Sequence, residues 1–343
     1  MEDTSEPSDI QEITLASDCS GMELAPKILE QLGYKVRSLW VSETSEHALK
    51  FIRCNADPER IYRDMTERDS SELPKDVDIY LAGPPCTAWS SMNIKQKELD
   101  PRAELFEHCL ATIDEVKPKV FIIENTQTLL TFNKRKFWQK VSAELDSMRG
   151  YRWEHTFLCP SENDCPQSRP RVYIVGVRRD LGVRHIPWPR PIPSTHTCLD
   201  CIDKHITQGR RVSACYWRML DAWKIPHDTF CIIEPNGASR SHSPYHGKKG
   251  YVAELSNKQR ASIARTEIAS CLVSHDPSPF CPALKRHLTT KELLRLQAYG
   301  DVEVRVPDSM TALQVASLVG NAFNGAVLRR IFENLVPLLK AKA

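Results

Sequence analysis

No apolar run in this chain approaches the ~20 residues that cross a bilayer, so the sequence offers no membrane-spanning segment. The first twelve residues are polar and acidic. They lack the basic and apolar stretches of a secretory signal and are expected to be disordered. Without such a signal, the 12 cysteines are expected to be reduced thiols, not a disulfide framework. There is no internal repeat, no low-complexity segment and no clear nuclear-localisation cluster. The G-x-G-x-x-G fingerprint is missing, which argues against a dinucleotide. Half of a zinc site is present in Cys198-x-x-Cys201, with His196 and His205 nearby. Zinc needs four ligands, Cys215 and Cys231 are loosely spaced, and no metal is assigned.

What is there is a chain of 343 residues, room for one large domain or two modest ones. Its 41% hydrophobic and 26% charged residues are ordinary for a globular protein. The net charge of +2 is unevenly placed. Residues 181–285 hold 14 Lys/Arg against 8 Asp/Glu, a balance of +6, which leaves −4 for the rest. A basic module on a mildly acidic core suits a polyanionic partner.

From Ile13 to about Val177, short apolar runs alternate with helical patterns. Strands are expected at Val36–Val41, Val77–Ala82, Val120–Glu124 and Val172–Val177. Helices are expected at Glu23–Leu32, Ser45–Cys54, Ala103–Val116 and Lys134–Met148. Continuous apolar strands separated by amphipathic helices predict a parallel sheet covered on both faces, a doubly wound α/β domain. Ligands of such a domain bind outside the carboxyl ends of its strands. The pattern breaks at Pro187-Trp188-Pro189-Arg190-Pro191-Ile192-Pro193. Helical pattern returns at Thr289–Tyr299, where Thr289 and Glu292 have capping-box spacing, and over Thr311–Leu339. The expected division is therefore 1–12 as a tail, 13–180 with 286–343 as one domain, and 181–285 as a smaller irregular one.

Three strand-end features stand out. Val77–Ala82 runs into Gly83-Pro84-Pro85-Cys86, a rigid turn that presents one thiol, and a long loop follows through Ser90 to about Asp100. Val120–Ile123 runs into Glu124-Asn125, a carboxylate at a buried strand end that is costly unless paired and is suited to holding a proton. Gln167-Ser168-Arg169-Pro170-Arg171 leads into Val172–Val175, with Arg169 and Arg171 on one face as a guanidinium clamp. Nucleophile, proton donor and clamp together suit one planar ring.

These residues resemble the cytosine C5-methyltransferases that use S-adenosylmethionine. Pro84-Pro85-Cys86-x-x-Trp89-Ser90 is similar to that family's nucleophile block, with Trp89 for the usual Phe. Glu124-Asn125-Thr126 is similar to Glu-Asn-Val, and Gln167-x-Arg169-x-Arg171 to the arginine block. Arg286 to Gln297 and Gly320-Asn321-Ala322 are similar to the last two blocks. The order and spacing extend over about Thr14–Leu335. The resemblance implies a Rossmann-like methyltransferase core with a target-recognition domain at 181–285. It implies addition of Cys86 to C6 of a flipped-out cytosine in DNA, with Glu124 at N3 and the exocyclic amine, Arg171 at O2, and Arg169 in support. Ser90, Asn125 and Gln167 are implied substrate contacts. Candidate phosphate contacts include Arg210, Arg211 and Arg240.

For the methyl donor, the resemblance implies Gly21 in the turn Ser17–Glu23, then Glu43, Asp64, Met65, Pro84, Leu105 and Asn321. Cys19 stands where an aromatic is usual, and Glu23 and Leu24 replace glycines. The expectation is a monomeric, intracellular enzyme, nuclear in a eukaryote, acting on DNA. Two alternatives stay open: a tRNA cytosine methyltransferase, although the Cys-Phe-Thr tripeptide of that branch is missing, and a catalytically silent nucleic-acid-binding scaffold.

Overall fold

The computed structural model describes residues 11–85, 104–222, 224–234, 263–272, 274 and 279–340. By compactness the chain divides into two units. One comprises Met1–Phe157, Arg171–Pro189 and Leu328–Ala343; the other comprises Leu158–Pro170 and Arg190–Val327. The break at Pro189 falls inside the Pro-rich stretch, which no helix or central strand can continue through. The second unit also takes in 158–170 and 286–327, which the sequence pattern grouped with the first.

In the first unit the elements are β1 (Glu12–Asp18), α1 (Ala25–Gln31), β2 (Lys35–Ser42), α2 (Glu46–Asn55), β3 (Arg60–Tyr62) and β4 (Ile79–Ala82). After these come α3 (Glu104–Val116), β5 (Val120–Thr126), α4 (Lys136–Ser147) and β6 (Tyr151–Leu158). The tiny β7 (Gln167–Ser168) belongs to the second unit, and β8 (Arg171–Arg178) returns to the first. Glu12 opens a strand, so the disorder expected of the first twelve residues does not extend to it; residues 1–10 lie outside the described set.

The seven-stranded sheet has the order β3-β2-β1-β4-β5-β8-β6. Its central strands are apolar on both faces, because helices cover both: every residue of β4 is buried, as is Val120–Ile123 of β5. Trp40, Tyr80, Phe106 and Phe121 are the largest fully buried side chains of this core. In α3 the buried positions Phe106, Cys109, Leu110, Ile113 and Val116 make one helical stripe.

One expectation is corrected here. β1, β2, β3, β4 and β5 pair in parallel, but β8 runs antiparallel to β5, with Thr126 opposite Arg171 and Glu124 opposite Tyr173. β8 therefore begins at the edge where β5 ends. Gly176 faces Phe121 across this pair, and a methyl group there would sit 2.0 Å from Phe121 Cε1, so only glycine fits. β6 has mixed, half-buried positions and no apolar run, and it was not legible as a strand.

The second unit contains α5 (Ala214–Ala222), β9 (Ile232–Glu234), β10 (Ile263–Arg265), β11 (Ala269–Ser270), β12 (Phe280–Cys281) and β13 (Arg286–His287), then α6 (Thr290–Leu296) and α7 (Ala312–Asn321). The last helix, α8 (Gly325–Leu335), crosses back into the first unit. A four-stranded sheet β10-β9-β12-β13 packs on its own small core, which includes Leu220, Ile233 and Phe280. The Thr289–Glu292 capping box is formed as the spacing predicts. The helical pattern from Thr311 breaks at Ala322–Asn324, because Asn324 Oδ1 turns to accept from the amides of Ala326 and Val327 and caps the next helix.

Candidate active site

The antiparallel β8 explains how a carboxylate and a guanidinium meet at one strand edge. Glu124 and Thr126 are two apart on β5 and share a face, and Arg171 sits opposite Thr126. Arg171 Nε lies 3.3 Å from Glu124 Oε1, with both side chains mostly buried at 16% and 13% exposure. Glu124 Oε1 makes no hydrogen bond among the described residues despite its burial. An acceptor held beside a cation, yet without a donor, is poised for a ligand that brings one.

Asn125 points elsewhere. It is buried, and its Nδ2 donates to the carbonyl of Pro84 at 3.0 Å. This bond staples the end of β5 to the turn that follows β4, immediately before Cys86. The resemblance implied a substrate contact for Asn125, and the structure shows its side chain bonded to this turn. Cys86, Ser90 and Arg240 lie outside the described residues.

Arg169 was expected in support of the site. It belongs to the second unit and is buried. Its terminal nitrogens donate to the carbonyls of Leu272, Gly320 and Ala322 at 3.0 Å each, and to Cys271 Sγ at 3.1 Å. These bonds fix the backbone around Gly320-Asn321-Ala322. Gln167 is fully buried in β7, and neither end of its amide has a hydrogen-bond partner among the described residues. Asn321 ends α7 with an exposed side chain.

The candidate cofactor turn follows β1. Cys19, Gly21 and Glu23 all have positive φ, at 52°, 57° and 44°. Glu23 thus takes the backbone conformation that glycine would adopt most easily. Its carboxyl is buried and bonded to the Ser17 hydroxyl, and its Oε1 has no partner among the described residues. Burial pushes the Glu23 carboxyl up to about 7, Asp18 adds to this, and the Ser17 bond opposes it. Beneath the turn, Asp18 accepts from Tyr80 Oη at 2.7 Å and Trp40 Nε1 at 3.2 Å, and it is paired with the buried Arg68. The sequence reading missed this Asp18–Arg68 pair, because the two lie 50 residues apart.

Glu43 directly follows β2 and receives the Gly21 amide at 2.9 Å on Oε2 and the Ser45 amide at 2.8 Å on Oε1. Asp64 accepts from the Thr66 amide and hydroxyl, which together hold its carboxyl below the usual range. Met65 is buried with its Sδ 4.0 Å from Cys19 Sγ, and Leu105 packs against the same core. A hydrogen bond with Cys109 and burial push the Cys19 thiol well up. Open space lies beside Gly21, where a Cβ would meet nothing within 4 Å. An open turn backed by two acceptor carboxylates fits a nucleoside with free hydroxyls and an amino-acid tail.

In the second unit, Arg210 lines a groove of about 420 Å³ with His287, Lys291 and Leu313, and Arg211 is exposed. Arg286 and Glu292 form a buried bidentate pair at 2.8 Å, which also receives the amides of Asp203 and Thr289. Burial raises the Glu292 carboxyl, but the bonds from Arg286 and these amides outweigh it and hold it low. Cys198 and Cys201 are buried, and burial pushes the Cys201 thiol to about 11. Every described cysteine is a free thiol, and no cluster of three or more metal-ligating side chains occurs among the described residues. No described helix is long and apolar enough to cross a membrane.

An acid–arginine pair where β5 ends, stapled to the Pro84 turn on a seven-stranded sheet in which β8 runs antiparallel to β5, fits a Rossmann-like methyltransferase core. Residues 10–337 match the family described as C-5 cytosine-specific DNA methylase, and the chain belongs to that family. It is 28% identical to the type II methyltransferase M.NgoFVII of Neisseria gonorrhoeae, over 95% of this chain and 86% of that protein. It is 25% identical to the type II methyltransferase M.NlaX of Neisseria lactamica, over 96% and 97%. Among solved structures, the fold is similar to that of a DNMT2 mutant from Spodoptera frugiperda, with a TM-score of 0.64 at 15% identity over 94% and 99% of the two chains. The activity that goes with this family is DNA cytosine-5 methyl transfer.

Proposed function

We propose that this chain methylates C5 of cytosine in DNA through a covalent adduct on Cys86, with S-adenosylmethionine as donor. The observation that carries the reading is the Glu124–Arg171 pair, joined through Asn125 to the Pro84 turn that leads to Cys86.

The chemistry follows from the weak nucleophilicity of cytosine C5. The Cys86 thiolate adds to C6 while Glu124 delivers a proton to N3 and holds the exocyclic amine. Arg171 holds O2 and keeps the Glu124 carboxyl in place. Bound beside Gly21, with Glu43 at the ribose hydroxyls and Asp64 at the adenine end, S-adenosylmethionine would supply a sulfonium methyl that the activated C5 can take. A water molecule then takes the C5 proton, the electrons of the C5–H bond form the C5=C6 bond, the C6–S bond breaks to return the thiolate, and N3 gives its proton back to Glu124. Inside a duplex C6 is inaccessible, so the base is extruded. Residues 181–285 form the target-recognition region, and Arg210 and Arg211 contact phosphates.

A radiolabelled methyl-transfer assay on duplex DNA and on total tRNA tests this reading. Label should enter duplex DNA. Glu124→Gln and Arg171→Ala should each lower the rate about 10²–10⁴-fold with cofactor affinity retained. Label in tRNA alone would replace the substrate, and normal turnover in both variants would remove the strand-edge site.

A further inference from the structure

The catalytic unit carries a second concavity that this chemistry does not use. It begins at Gln127 and Thr128, directly after the last residue of β5, and encloses about 730 Å³. That volume lies within the range of small-ligand sites. One wall is the start of α4, with Arg135 and Trp138. The other is the outer part of β6, with His155 and Phe157 on one face of the strand. The rings brace each other: Trp138 lies 4.8 Å from His155, and Trp153 is stacked on His155 at 6.2 Å. Phe157 is 49% exposed, among the few large apolar side chains so open to water. Asn133, Lys134 and Arg135 have φ of 46°, 51° and 70°, three left-handed residues in a row without a glycine. Lys134 and Arg135 are exposed, and Arg135 lines the groove with the rings.

The lining decides the occupant. Among the described residues no carboxylate lines the groove, so a cation seeking an aromatic cage would meet Arg135 and no counter-charge. Burial also holds the His155 ring below its usual pKa, which makes it a neutral stacking face near pH 7. Flat neutral rings beside basic side chains suit a planar base joined to phosphate. A paired base hides its faces in the duplex stack, whereas an unpaired base offers them.

We infer that this groove binds an unpaired stretch of polynucleotide, with a base against Phe157 and His155 and phosphate against Arg135 and Lys134. The inference rests on the reading of the chain as a nucleic-acid methyltransferase. It adds a contact outside residues 181–285, one that favours substrates with a single-stranded segment near the target.

The test uses the full chain and a fluorescent oligothymidylate, read by anisotropy. The oligomer has no cytosine and needs no methyl donor, so it judges the groove even where methyl transfer to duplex DNA, scored in parallel, fails. The wild type should bind it with an affinity that falls as salt rises. Phe157→Ala and Arg135→Glu should each weaken binding roughly tenfold, and Phe157→Tyr should restore it. An Arg210→Glu, Arg211→Glu double variant should still show the loss on adding Phe157→Ala. Both substitutions are at the surface, and an unchanged thermal midpoint establishes folding. Equal affinity in wild type, Phe157→Ala and Arg135→Glu would overturn the proposal, as would a loss in Phe157→Ala that Phe157→Tyr does not reverse.

Discussion

Glu23 shows how one side chain couples the candidate cofactor turn to pH. Its folded pKa of about 7 lies above the ordinary 4.5. The folded state therefore holds a proton that the unfolded chain has already released. Its contribution to stability is fully present below about 4.5 and is lost as pH rises through about 7. A shift of this size corresponds to roughly 3 kcal/mol for a fully buried group. Glutamine mimics the protonated form, so Glu23→Gln should match wild type near pH 5 and exceed it by about 1–3 kcal/mol at pH 8. Urea unfolding at the two pH values reads the difference, and a gap that does not change with pH would place the titration elsewhere. Glu23 was visible in the sequence only as a departure from a glycine pattern. That it occupies a left-handed position and is buried against Ser17 required the three-dimensional turn.

At the scale of elements, the reversed β8 is the decisive device. A parallel strand would begin at the opposite edge and carry Arg171 away from Glu124. The antiparallel register that brings Arg171 to the edge also brings Gly176 against Phe121. Gly176→Ala should therefore destabilise by about 1–3 kcal/mol or more through overpacking, and disturb the β5–β8 edge with it. Thermal unfolding at constant cofactor concentration reads this, and an unchanged midpoint would contradict the packing. Asn125→Ala should remove the staple to Pro84, lower kcat and leave cofactor affinity intact. A kcat equal to wild type would show that the staple does not serve catalysis.

The apolar runs of β2, β4, β5 and β8 were legible because buried strands leave long hydrophobic signatures. β6 was not, because an edge strand mixes polar and apolar positions. Strand direction was not legible either, since an apolar run reads alike for either hand of pairing. Arg169 and Arg171 look equivalent in the sequence, yet Arg169 clamps the carbonyls of Gly320 and Ala322 while Arg171 faces Glu124.

At the scale of the whole molecule, the charge is segregated: residues 181–285 carry +6 and the rest −4. Binding to DNA should weaken steeply with salt, with a slope set by the number of phosphates neutralised. Reversing Arg210 and Arg211 to Glu should lower affinity for all sequences about equally and leave cofactor binding alone. A loss confined to one target sequence would make one of them a base reader.

The central claim is that Cys86 forms a covalent bond to cytosine, and trapping tests it most directly. Wild-type protein with S-adenosylmethionine and duplex DNA containing 5-fluorocytosine should give a stable adduct, because fluorine at C5 cannot leave as a proton does. Mass spectrometry should locate the adduct on the peptide containing Cys86, and Cys86→Ala should give none. An adduct on another cysteine, or methylated product from Cys86→Ala, would contradict the account.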